Sequence, residues 1–105
     1  MIINEVVLVS ALNQKRLSGI IVSLLFQEWP LTVKGIQNKT KNKFSKQVSL
    51  QAVYKETKKL EKESIVLKSD KHYKLNLVWL KKIKEFSQNA IIKYKEKETN
   101  LVGLP

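Results

Sequence analysis

The chain has 105 residues, 43% hydrophobic and 28% charged, which suffices for one modest core and not for two. Twenty Lys and Arg against nine Asp and Glu give a net charge of +11, and so basic a small protein points to a polyanionic partner, either nucleic acid or an anionic membrane surface. With no cysteine, one histidine (His72) and three scattered glycines, the sequence offers no thiol chemistry, no metal-spaced ligand cluster and no phosphate loop, so neither enzyme activity nor a cofactor is expected.

Residues 2–11 (IINEVVLVSA) are β-branched and fit a strand or a short helix equally well. They lack a basic n-region, and Asn4 and Glu5 interrupt the apolar run, so no secretory signal is expected. Asn13 is a candidate cap for an amphipathic helix over 14–28, where Leu17, Ile20, Ile21, Leu24 and Leu25 recur at helical spacing. Leu17 to Phe26 is too short to cross a hydrocarbon core of ~30 Å, so no membrane partner is expected. Trp29-Pro30 should stop this helix. Thr32 can cap a short second helix with Val33 and Ile36 inside. A polar, basic connection, Asn38 to Gln47, should follow, pinned to the core by Phe44.

Ser49 is the best cap in the chain and opens a helix over 50–63. Val53, Thr57 and Leu60 share one side of it. Gln51, Lys55, Lys58 and Lys62, with Lys59 alongside, share the other. Ile65-Val66-Leu67 reads as a strand, Ser69-Asp70-Lys71 as a turn, and His72 to Leu75 as a second strand with Tyr73 and Leu75 on one face. Asn76 should cap a last helix over 77–97, leaving 98–105 as a flexible tail.

The charge is lopsided. Residues 1–33 are neutral, 34–74 carry 12 Lys against four carboxylates, and 75–105 carry 6 Lys against three. A surface charged only for solubility would not concentrate cations in the middle of the chain. The element order, three helices and a hairpin, is that of a winged helix-turn-helix over residues 1–76, mainly α with a small β-hairpin, followed by a long C-terminal helix.

Residues 52–66, AVYKETKKLEKESIV, resemble the third helix and first wing strand of PadR-like and other archaeal winged-helix regulators, through Ala52-Val53-Tyr54, Lys58-Lys59, Leu60-Glu61, Ile65 and Val66. Residues 11–36 resemble the opening of ArsR-like domains, with counterparts at Arg16 and Pro30-Leu31-Thr32. The resemblance spans about residues 11–76. Two positions depart from the pattern: Thr57 stands where a buried Leu is usual, and Ser64 where a Gly ends the helix. The Asn38–Val48 connection is also longer than the usual turn.

The resemblance implies that the third helix lies in the DNA major groove and that the wing reaches the backbone or minor groove. Ser49, Gln51, Ala52 and Lys55 would then face DNA. Gln51 can read adenine through both ends of its carboxamide, and Ala52 can touch a thymine methyl. Lys55, Lys58, Lys59 and Lys62 would meet phosphates. Lys39, Lys41, Lys43 and Lys46 would flank the lead-in to the helix, and Lys68, Lys71 and Lys74 would line the wing. Six to eight phosphate contacts imply a fall in affinity of roughly three to four decades between 50 and 200 mM salt. One Arg beside 19 Lys implies weak or A·T-leaning sequence preference.

The last helix carries an apolar stripe of Trp79, Leu80, Ile83, Phe86, Ala90, Ile91 and Tyr94 that outlasts the domain. It suggests a homodimer presenting two recognition helices ~34 Å apart on a palindromic site. No small-molecule effector is evident, and a cytoplasmic, nucleoid-associated location is expected. The alternatives are a sequence-tolerant chromatin or architectural protein, and a winged helix used for protein–protein assembly. The duller readings are a basic stripe that is only a solvated face, a His72 with no special role, and a Tyr54 at the core edge.

Overall fold

The computed structural model describes residues 15–102, with side chains through residue 99. The 2–11 segment, the Asn13 cap and the last three residues lie outside the described residues. The chain runs α1 (Leu17–Gln27), α2 (Val33–Phe44), α3 (Leu50–Lys62), β1 (Val66–Ser69), β2 (His72–Leu75) and α4 (Leu77–Val102). The fold class is as expected: mainly α, with one two-stranded antiparallel hairpin.

α1 is the centre. Its Ile20, Ile21, Leu24 and Leu25 are each 2% exposed or less, and each such burial is worth about 1.5–3 kcal/mol. Burial also takes in Ser18, Gly19 and Val22, so α1 is covered around more of its girth than one stripe. α2, α3 and β2 all pack against it. Arg16 precedes the helix in extended conformation and makes no side-chain cap.

The basic stretch expected as a connection from Asn38 is instead helical through Phe44. The Thr32 cap forms as expected, its hydroxyl accepting from the Gly35 amide at 3.0 Å. What carries the helix onward is Thr40, fully buried one turn beyond Ile36. Its hydroxyl donates to the Ile36 carbonyl at 2.7 Å, so a polar residue fills a core position without a stranded donor. Val33, Ile36, Thr40 and Phe44 then form one inner stripe. The link to α3 shrinks to Ser45–Ser49, with Gln37 Nε2 donating to the Val48 carbonyl at 2.9 Å across it.

α3 begins at its expected cap, Ser49 Oγ accepting from the Ala52 amide at 3.0 Å. Val53, Thr57 and Leu60 are buried, and the Thr57 hydroxyl donates to the Tyr54 carbonyl at 2.9 Å. The helix closes in a Schellman turn: Ile65 N–H bonds the Leu60 carbonyl at 2.9 Å and Ser64 N–H the Glu61 carbonyl at 3.0 Å. Ser64 sits at φ 62°, the left-handed conformation that the missing glycine would adopt most cheaply.

β1 pairs β2 from Val66↔Leu75 to Ser69↔His72, so β1 starts one residue later than expected and runs two further. Asp70 and Lys71 form the turn, both at positive φ, as a tight two-residue hairpin needs. Leu31 adds an isolated bridge to Tyr73, bonded in both directions at 3.1 and 2.8 Å. Asn76 joins three elements. Its Oδ1 caps α4 at the Val78 amide, and its Nδ2 donates to the Ser64 carbonyl at 2.8 Å. α4 then runs 26 residues, about 39 Å, five residues past the expected end.

Replacing Ser64 by glycine keeps the backbone bonds of the turn and removes the left-handed penalty. We expect S64G to raise stability by about 0.5–1 kcal/mol, after the extra unfolded-state freedom of glycine is offset. A denaturant midpoint equal to or below that of the parent chain would contradict this account of the turn.

Candidate nucleic-acid interface

Because α3 packs on α1 through Val53, Thr57 and Leu60, its opposite side has no neighbour. Gln51, Lys55, Lys58, Lys59 and Lys62 are all exposed there, and Ala52 is half-buried at the edge. Among the described residues, no α3 lysine is held in an ion pair. The Ser49 hydroxyl is committed as an acceptor to its helix but keeps its hydrogen free to donate. Tyr54, 45% exposed, carries the Lys58 ammonium 5.4 Å from its ring centroid, which steadies that lysine on the helix surface.

The four lysines expected to flank the lead-in to α3 do not act as a group. With α2 extended, Lys39 and Lys43 stand one turn apart and both reach Glu28, at 3.0 and 2.6 Å. Lys46 donates to the Lys15 carbonyl at 3.3 Å. Only Lys41 faces the start of α3, where it lines a polar recess with Asn38, Gln47 and Ser49. Lys39 and Lys43 therefore share one carboxylate, which offsets one of their two charges and draws both toward Glu28.

The hairpin lysines also divide. Cross-strand partners share a face, so Lys68 lies with Tyr73 on the side of the buried Val66. Its ammonium sits 5.8 Å from the Tyr73 ring centroid. Lys74 pairs with Leu67 on the opposite face and lines an apolar groove of about 550 Å³ with Phe26, Trp29, Leu77 and Val78. Lys74 thus projects from the hairpin face opposite to that of Lys68, as strand alternation requires with Tyr73 inward. Lys71 lies in the exposed turn.

A further cleft, about 360 Å³, opens between the first turn of α2, α3 and the inner hairpin face. It brings Lys34 and Tyr54 beside Lys68 and Lys71. Sequence reasoning passed over Lys34, because nothing in its local pattern shows that the first turn of α2 meets the hairpin.

The apolar stripe of α4 is likewise split. Trp79 is 2% exposed and belongs to the core of its own domain, a correction to its expected place at an interface between copies. Leu80 and Ile83 are half-buried against the same core. Phe86, Ala90, Ile91 and Tyr94 are exposed, as is Ile92. Among the described residues, no group of three His, Cys, Asp or Glu could hold a metal ion, and no helix is long and apolar enough to cross a membrane.

The two lysines hold the Glu28 carboxyl below its ordinary value, Lys43 first and Lys39 second, through hydrogen bonds and then charge. A carboxylate whose folded pKa is depressed adds stability above its unfolded pKa and loses it as pH falls through the folded value. We therefore expect Glu28→Gln to lower the urea midpoint at pH 7 and to make no difference near pH 2. A gap of equal size at both values would rule this ion pair out as its cause.

No protein-family model matches the chain, and neither a curated protein nor a solved structure shows a significant match to it.

Proposed function

We propose that the protein is a DNA-binding transcriptional regulator, with α2 and α3 as a helix-turn-helix and the β1–β2 hairpin as its wing. One observation carries the reading: the outward face of α3 presents Gln51, Lys55, Lys58, Lys59 and Lys62, exposed and, among the described residues, without carboxylate partners. A helix of 13 residues is about 20 Å long and fits the ~12 Å width of a B-DNA major groove. The four lysines supply point charges to phosphates, and Gln51 and Ala52 supply what direct base readout there is. Such a set gives strong, salt-sensitive affinity and modest sequence discrimination. An architectural role shares the charge and differs in the ratio of specific to random DNA affinity.

Exposure of Phe86, Ile91 and Tyr94 beyond the core supports association of two copies through the distal half of α4. That arrangement would set two α3 helices on successive major-groove faces.

Reversing one charge on the α3 face should sharply weaken duplex binding while the fold persists. Lys55→Glu and Lys58→Glu are expected to give native circular dichroism with duplex affinity down at least tenfold. Unchanged affinity in both would remove α3 from the interface. Light scattering at micromolar concentration should give a dimer for the parent chain and a monomer for the double variant Phe86→Lys, Ile91→Lys. A monomeric parent chain ends the dimer reading and leaves the DNA reading standing.

A further inference from the structure

We propose that the cleft between the first turn of α2, α3 and the inner hairpin face seats the sugar–phosphate backbone of one DNA strand. Lys34, Lys68 and Lys71 hold successive phosphates there. This inference rests on the DNA-binding reading above and adds to it where the strand leaves the α3 face.

Three features of the cleft support it. First, three lysines are among its described lining residues and no acidic residue is. Like charges brought together without a counterion repel, and an arriving polyanion relieves that repulsion. Second, Lys68 already leans over an aromatic ring before any partner arrives. Tyr73 beneath it is 1% exposed and bonded through its backbone to Leu31, so Lys68 sits over a ring packed into the core. Preorganised contacts bind with less loss of side-chain freedom. Third, the cleft is continuous with the α3 face, because Tyr54 lines it and also carries Lys58. An extended strand can therefore run from the lysines of α3 into the cleft, which a free phosphate ion would not need.

The surroundings give the path a direction. Beyond α2, Lys39 and Lys43 are drawn to Glu28, which offsets one of their two charges. On the outer hairpin face, Lys74 is, among the described residues, the one charged residue lining a largely apolar groove. The open route for a polyanion lies on the inner face of the hairpin.

Salt dependence of duplex affinity tests this directly. Each phosphate contact contributes about 0.9 to the slope of log affinity against log salt. The triple variant Lys34→Gln, Lys68→Gln, Lys71→Gln should lower that slope by about 2.7, and each single variant by about 0.9. Lys74→Gln should leave the slope at its parent value. A triple variant with the parent slope, or a Lys74→Gln variant that loses as much as Lys68→Gln, overturns the inference while the α3 reading survives. If the parent chain itself shows no salt-dependent duplex binding, the DNA reading falls and takes this one with it.

Discussion

Everything else in the fold is arranged around the burial of α1. A chain of this size has one core, and α1 occupies it, with α2, α3 and β2 packed against it and α3 also against α2 and β1. With no second core to cover them, the faces of these elements turned away from α1 stay exposed. For α3 that side bears the lysines. The exposure of the basic face follows from having a single core as much as from the residues on it.

Lysines close together in the chain end up in different electrical settings. Lys39 and Lys43 share one carboxylate. Lys58 and Lys68 rest over tyrosine rings, which hold an ammonium in place without cancelling its charge. Lys74 projects from the far side of the hairpin. The net charge of the middle segment thus overstates how many cations a single partner could meet, and the geometry selects α3 and the inner hairpin face.

Local chemistry made much of this legible in advance. Thr32, Ser49 and Asn76 were readable as caps because a short polar side chain before an apolar repeat has little else to do, and all three make the bond. The inner side of α3 was readable from spacing, Thr57 included. The extension of α2 was not, because Thr40 carries a core position with a polar side chain and so hid the stripe that continues to Phe44. That one miss also misplaced Lys39 and Lys43, which pair with Glu28 only once they stand a helical turn apart.

The sequence by itself determined the order of the elements, the caps and the two-sided character of α3, since these depend on neighbours within a few residues. Only the tertiary structure decided which cations share a surface. Lys34 meets Lys68 and Lys71 across a cleft because the hairpin folds back onto Leu31, and Trp79 is inside because α4 starts from Asn76 against the end of α3. Both are contacts between residues far apart in the chain, and periodicity carries no information about which faces of separate elements come together.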